Sequence, residues 1–308
     1  MLSYISLRPI LSRTINYYTI LYGFIFYSLF REKLFMEKPK YVVFSDLNGT
    51  CIEQHSMSDI IRLYKGRNEF EEVWRLFKRQ TNREETMEST FALAGELSKG
   101  ITLRQIIEYT IFHMRYMEGF EELLNYILES GGKFVLNSTG YSATVYCIRA
   151  KYGEDRIHGF IGDLLQLAPD ADAQQTLEEY EIEDLIKTYF TDPNSLYDER
   201  YDIIKATGKV TLGIKDEAEK AKLASAHISM IFPGLPTTNM VHIGDTMGDS
   251  RGILDISLIG GVGIGFNYND SLKYYILGCM DTNNLLRLHL ISKKDMSYII
   301  PVLKEEFE

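Results

Sequence analysis

The sequence predicts an α/β protein with a doubly wound, mostly parallel sheet and a separate helical insertion. Short apolar runs without polar alternation begin at Tyr41 (YVVF), Lys133 (KFVL) and Met240 (MVHI). Such runs are typical of strands that are buried on both faces of a parallel sheet. The segments between them carry apolar residues at helical spacing, so strands and helices alternate along the chain.

The composition is that of an ordinary globular protein with one or two domains. The chain has 308 residues, of which 45% are hydrophobic and 25% are charged. Its net charge of −10 argues against nucleic-acid binding, because no basic stripe is present to neutralise phosphates. The three cysteines are far apart and form no CxxC pair, so neither a zinc site nor a disulfide framework is predicted, and a cytoplasmic location fits best.

The N-terminus carries an apolar stretch that leaves two interpretations open. Residues 14–30 form a run of 17 uncharged residues between Arg13 and Arg31, slightly short of the ~20 residues that span a bilayer. Residues 1–35 are either an extension with a membrane anchor in 14–30, which would make the protein membrane-associated, or an extension that the fold does not use. Met36 offers a start just before the first strand.

The remainder divides into a core and a helical insertion. Residues 57–130 have apolar positions at helical spacing, as in Val73 and Phe77, and Gly131-Gly132 ends this pattern. The predicted domains are therefore a core of residues 36–56 and 131–308 and an insertion of residues 57–130. Within the core, residues 168–200 are polar and acidic and are predicted to be a surface elaboration. The segment KVTLGI from Lys209 is predicted to be a strand, and the helix after it is predicted to begin at Lys215.

Polar residues follow three of the predicted strands at their carboxyl ends. Ligands of doubly wound sheets bind at these ends, so we expect the side chains to converge on one crevice. The candidates are Asp46, Asn48, Ser138, Thr139, Asp245 and Asp249, together with Lys215 at the start of a predicted helix.

The order of these residues resembles the motifs of the haloacid dehalogenase (HAD) superfamily of phosphohydrolases, from about Tyr41 to Asp270. SDLNGT resembles the first motif, DxDGT, at all but one position, and VLNSTG resembles the second, with Ser138 as the match. Lys215 is similar to the lysine of the third motif, and GDTMGD matches the fourth, GDxxxD. The resemblance implies a HAD-like Rossmannoid core with a cap domain.

The resemblance also implies a role for each candidate. Asp46 would be the nucleophile that forms an aspartyl-phosphate, a role that suits a carboxylate. Mg²⁺ prefers oxygen ligands, which Asp46, the carbonyl of Asn48, Asp245 and Asp249 could supply. Lys215, Ser138 and Thr139 would bind the phosphoryl oxygens of a small phosphorylated metabolite. The sequence predicts nothing about the oligomeric state.

The helical insertion is similar to the C1-type cap of phosphoserine phosphatases. Its return through SKGITLRQIIEYTIFHMRYMEGFEELLNYILESGGKFVLNSTGYS carries this likeness. Two positions depart from those phosphatases: His55 replaces a glutamate that contacts the substrate amino group, and Ala94 replaces an arginine that meets its carboxylate. The substrate is therefore not predicted to be phosphoserine.

Asn48 stands where the family has its acid/base aspartate. An amide can neither protonate a leaving group nor deprotonate a water, work usually worth about 10²–10⁴ in rate. Three interpretations stay open: a substrate whose leaving group needs no proton, a substitute acid such as His55, or a slow or inactive relative. The sequence therefore predicts a Mg²⁺-dependent phosphohydrolase of low turnover. The alternative is a weak or inactive phosphate- and metal-binding regulatory relative tethered to a membrane.

Overall fold

The computed structural model describes residues 38–81, 84–171, 175–283 and 286–308. The predicted extension of residues 1–35, with its candidate membrane anchor, lies outside them. No helix within the described residues is both long enough and apolar enough to cross a membrane.

Seven strands form one sheet in the order β4-β3-β2-β1-β5-β6-β7. Every neighbouring pair is parallel except β3 with β4, which is antiparallel. This confirms the predicted doubly wound, mostly parallel sheet. The strands are β1 (Val42–Ser45), β2 (Lys133–Tyr141), β3 (Ile157–Ala168), β4 (Lys205–Thr211), β5 (Met240–Gly244), β6 (Val262–Phe266) and β7 (Leu288–Ile291).

The described residues form twelve α-helices, five of which lie between β1 and β2. This agrees with the helical pattern of residues 57–130. The helices are α1 (Ser56–Tyr64), α2 (Arg67–Thr81), α3 (Met87–Ser98), α4 (Leu103–Glu108), α5 (Phe120–Glu129), α6 (Ser142–Tyr152), α7 (Glu179–Thr191), α8 (Arg200–Ile203), α9 (Lys220–Ile231), α10 (Ser250–Leu258), α11 (Asp270–Thr282) and α12 (Ile299–Phe307).

Strand β1 lies at the centre of the sheet and is buried along its whole length. It pairs with β2 on one side and β5 on the other, so that Phe44 is in register with both Val135 and His242. Burial on both faces explains why the apolar run of β1 does not alternate with polar residues. The pairing also brings the carboxyl ends of β2, β1 and β5 together at one edge.

Two element boundaries and one segment in the second half of the chain differ from the sequence prediction. The strand predicted from Lys209 begins at Lys205, and the helix predicted from Lys215 begins at Lys220. The Asp216 side chain accepts a hydrogen bond from the Ala218 amide and starts a 3₁₀ turn, which delays the α-helix. Residues 168–200 are more than a surface elaboration, because α7 buries Ile182 and Ile186 completely.

Candidate functional site

A cavity of about 270 Å³ opens at the carboxyl ends of β2, β1 and β5. One wall comes from the strand ends and the loops that follow them, and the other comes from α2 in the helical segment. The lining residues are Asp46, Asn48, Gly49, Glu53, Gln54, His55, Trp74, Phe77, Lys78, Gln80, Thr139, Glu217, Lys220, Asp245, Thr246 and Asp249. The structure thus brings together five of the candidate residues, Asp46, Asn48, Thr139, Asp245 and Asp249.

The loop after β1 turns sharply at Gly49. Gly49 has φ +82°, and a Cβ at this position would lie 2.3 Å from Asp245 Oδ2. The Gly49 amide donates to the Ile52 carbonyl, and the Gly49 carbonyl accepts a hydrogen bond from the Asn267 side chain at 2.8 Å. Only glycine therefore permits both this backbone conformation and the close approach of Asp245.

Lys220 is a fully buried ammonium group at the base of the site. Its Nζ donates to Asp46 Oδ1 at 3.0 Å and to Asp249 Oδ1 at 2.6 Å. Burial by itself would lower the pKa of Lys220, but Asp249, Asp46 and Glu217 raise it well above its usual value. A permanently charged lysine at this place can neutralise the negative charge of a bound phosphoryl group.

The prediction that Lys215 is the site lysine is wrong. Lys215 is exposed and is not among the residues that line the cavity, because α9 starts five residues later. The sequence did hold a signal for Lys220. It precedes buried positions at helical spacing, Ala221, Ala224 and Ile228, and so falls on the buried face of that helix.

Three carboxylates form a candidate metal centre. One ligand oxygen from each of Asp46, Asp245 and Asp249 lies within 4.8 Å of the other two. Burial, together with the charges of Asp249 and Asp46, raises the pKa of Asp245 well above its usual value. This excess negative charge and the all-oxygen ligand set fit a hard divalent cation such as Mg²⁺. Thr50 orients the site by donating a hydrogen bond to Asp245 Oδ1 at 3.1 Å.

Asp249 joins the loop after β5 to the lysine. Its Oδ2 accepts hydrogen bonds from the amides of Asp245 (3.2 Å) and Thr246 (3.5 Å), while its Oδ1 pairs with Lys220. Burial opposes ionisation of Asp249, but Lys220 and His242 together lower its pKa. Asp249 is therefore an ionised group that holds the loop and the lysine in place.

The two hydroxyl residues in the last part of β2, Ser138 and Thr139, occupy different positions. Thr139 lines the cavity, whereas Ser138 is fully buried and lies close enough to Asp46 to lower its pKa by hydrogen bonding. Burial is the larger influence and raises the pKa of Asp46, while Lys220 and Ser138 oppose it. Thr139 is thus better placed than Ser138 to contact a bound molecule.

Asn48 has a structural hydrogen bond of its own. Its Oδ1 accepts from the Ser56 amide at 2.8 Å, and Ser56 is the first residue of α1. This bond satisfies one of the free amides at the helix N-terminus. The side chain thereby couples the loop after β1 to the start of the helical segment.

His55 lies in the cavity wall against aromatic side chains. Its ring centroid is 4.1 Å from that of Phe77 and 6.2 Å from that of Trp74. Burial lowers the pKa of His55 to about 4, so the imidazole is neutral at pH 7. This argues against the interpretation that His55 replaces the missing acid.

Several lining residues were missed by the sequence interpretation. Burial raises the pKa of Glu217 to about 7, against the opposing effect of Lys220. On the opposite wall, Trp74 and Lys78 lie one turn apart on α2. Their only sequence signal was that they share a helix, because nothing in the local pattern tells which face points at the strand ends.

Comparison with known proteins shows the class of fold. No protein-family model and no curated protein sequence matches this chain significantly. Solved structures do match, and they include phosphoserine phosphatases and a HAD family hydrolase. The chain therefore has the HAD-like α/β fold that the motifs indicated.

Three of these structures illustrate the likeness. A phosphoserine phosphatase with a phospho-aspartyl intermediate analogue has a TM-score of 0.59 at 17% identity, covering 86% of this chain and 99% of that one. A HAD family hydrolase from Salmonella enterica serovar Typhi has a TM-score of 0.61 at 13% sequence identity, and the match covers 87% of this chain and 72% of that one. A probable phosphoserine phosphatase from Vibrio cholerae has a TM-score of 0.57 at 14% sequence identity, and the match covers 86% of this chain and 64% of that one.

Proposed function

We propose that the protein is a Mg²⁺-dependent phosphohydrolase that acts through an aspartyl-phosphate on Asp46. The observation that carries this proposal is the position of Asp46, which lines the cavity, pairs with Lys220 and belongs to the acidic cluster with Asp245 and Asp249. The phospho-aspartyl analogue in the similar phosphoserine phosphatase supports the same assignment.

In this mechanism an Asp46 carboxylate oxygen attacks phosphorus, and the bond from phosphorus to the leaving oxygen breaks. Lys220 opposes the rise in the pKa of Asp46 that burial causes, and it stabilises the negative charge on the phosphoryl oxygens. The Thr139 hydroxyl can donate a hydrogen bond to one of these oxygens. Mg²⁺ held by Asp46, the carbonyl of Asn48, Asp245 and Asp249 would supply additional positive charge at the phosphoryl group. Water then hydrolyses the aspartyl-phosphate and restores Asp46.

Asn48 restricts which substrates can be cleaved quickly. Its amide has no proton to give, and its Oδ1 is already bonded to the Ser56 amide. Leaving groups that are stable as anions should therefore be favoured over alkoxides, which need general-acid help. We assign the helical segment of residues 57–130 as the cap that covers the cavity and excludes water.

A phosphatase assay tests this function. Wild type should hydrolyse acetyl phosphate and p-nitrophenyl phosphate only with Mg²⁺, and Asp46→Asn should abolish both activities. Asp192→Asn, an exposed aspartate outside the cavity, is the matched control. Hydroxylamine should release phosphate from a trapped acyl-phosphate in wild type and not in Asp46→Asn.

The second candidate is a regulatory relative that binds phosphate and metal without turnover. It is favoured by Asn48, because an amide preserves the helix contact and the metal-facing carbonyl while removing the proton carrier. Calorimetry with Mg²⁺ and inorganic phosphate separates the two candidates. Binding of Mg²⁺ and phosphate without hydrolysis of acetyl phosphate or p-nitrophenyl phosphate would support the regulatory role and contradict the proposed phosphohydrolase activity.

A further inference from the structure

Among the described residues that line the cavity, Lys78 is a cation that belongs to no ion pair. Lys220 is committed to Asp46 and Asp249, and the Glu53 carboxylate is paired with Arg115 at 2.7 Å. Lys78 also lines the cavity, but no carboxylate of the described residues lies within 4.0 Å of its ammonium group. A second anionic group of a substrate could therefore bind there without displacing an existing ion pair.

Aromatic packing holds Lys78 at the cavity wall. Its Nζ lies 5.6 Å from the centroid of the Trp74 ring, a cation–π distance. Trp74 is in turn stacked on Phe70, with ring centroids 5.9 Å apart and an interplanar angle of 15°. These three residues occupy successive turns of α2, so Trp74 and Lys78 belong to the part of the cavity lining that this helix contributes.

The size of the cavity and the presence of Asn48 restrict the size of the substrate and the type of its leaving group. A volume of about 270 Å³ is just below the ~300–1,000 Å³ typical of pockets for drug-sized ligands, so a small substrate fits best. Since Asn48 cannot donate a proton, the leaving group must depart as a stable anion. A cation on the leaving-group side is most useful when that group is charged before the bond breaks.

We propose that Lys78 forms a leaving-group subsite and that the substrate is a small phosphoanhydride of the pyrophosphate type. This inference rests on the proposed function, because it assumes attack by Asp46. One phosphoryl group lies at Asp46 and Lys220, and the other lies at Lys78. Asp46 forms the new oxygen–phosphorus bond, and the bridging oxygen departs with the electron pair as part of a phosphate ion that already carries its proton. Water then releases the second phosphate, and its surplus proton passes to solvent.

The kinetic test compares pyrophosphate, p-nitrophenyl phosphate and glycerol 2-phosphate with Mg²⁺. Wild type should have a higher kcat/KM for pyrophosphate than for glycerol 2-phosphate. Lys78→Gln should lower the ratio of kcat/KM for pyrophosphate to that for p-nitrophenyl phosphate by about 10- to 100-fold, the value of one hydrogen bond to a charged group. Lys78→Arg should restore most of that ratio, and Lys222→Gln, an exposed lysine on α9, is the matched control.

A binding test separates failure of this inference from failure of the proposed function. Imidodiphosphate, which resists hydrolysis, should bind wild type in the presence of Mg²⁺ and bind Lys78→Gln about tenfold more weakly by calorimetry. Tight binding of imidodiphosphate that depends on Lys78, without turnover of any substrate, would support the Lys78 subsite and contradict the proposed phosphohydrolase activity. Equal losses on pyrophosphate and p-nitrophenyl phosphate, or equal binding by wild type and Lys78→Gln, would overturn the subsite.

Discussion

The Lys220 ammonium lies 3.0 Å from a carboxylate oxygen of Asp46, and both groups are buried. The same ammonium reaches Asp249 across the site at 2.6 Å. One lysine thus neutralises two carboxylates that come from different strand ends. Its side chain is the electrostatic link between Asp46 and the loop after β5.

We expect Lys220→Met to abolish phosphatase activity and to destabilise the protein by about 3–5 kcal/mol, because removing one partner leaves buried carboxylates uncompensated. Urea unfolding and the p-nitrophenyl phosphate assay measure the two effects. Lys215→Met is the matched control, since Lys215 is exposed. Equal losses in both variants would contradict the assignment of Lys220.

Asn48→Asp should restore the missing proton carrier. We expect kcat for glycerol 2-phosphate to rise by about 10²- to 10⁴-fold, with a much smaller gain for acetyl phosphate, whose leaving group needs no proton. The carboxylate retains an acceptor for the Ser56 amide, so the melting temperature should change little. A uniform change on both substrates would show that Asn48 does not determine the leaving-group preference.

Thr50→Val should weaken Mg²⁺ binding. The Thr50 hydroxyl donates to Asp245, and loss of a group that orients a metal ligand typically costs about 10- to 100-fold in affinity. Calorimetric titration with Mg²⁺ alone measures this without reliance on turnover. Thr282→Val, at the exposed end of α11, should leave the Kd unchanged. An unchanged Kd for Mg²⁺ in Thr50→Val would contradict the inference that Thr50 orients Asp245 as a metal ligand.

Asp163→Asn should change how stability depends on pH. Burial raises the pKa of Asp163 to about 7, although its Oδ1 accepts from the amides of Gly213 (2.9 Å) and Ile214 (3.2 Å). Because the folded pKa exceeds the unfolded value, the neutral carboxyl stabilises the folded state at low pH. That contribution is lost as the pH rises from about 4 to about 7.

Asparagine keeps the acceptor oxygen and cannot ionise, so Asp163→Asn should melt at a higher temperature than wild type at pH 8 and show a flatter pH profile. Thermal melts at pH 4, 6 and 8 check this, with Asp281→Asn at an exposed position as control. A variant whose pH profile parallels wild type would show that Asp163 is ionised in the folded protein.

Much of the site was predictable because parallel strands place their carboxyl ends at one edge of the sheet. Asp46, Asn48, Thr139, Asp245 and Asp249 each follow a buried apolar run, and all five line the cavity. Ser138 precedes Thr139 within β2, but the pleat directs successive side chains to opposite faces, and Ser138 is buried beside Asp46 instead.

The amino-acid sequence by itself determined the α/β class, the central strands and the residues at their ends, because burial and periodicity are local properties of the chain. Only the tertiary structure decided that Lys220 rather than Lys215 reaches the carboxylates, and that Lys78 on α2 lines the same cavity. Both outcomes depend on where a helix begins and which face it turns toward a distant strand. Contacts between segments far apart in the chain set those properties, and local spacing does not encode them.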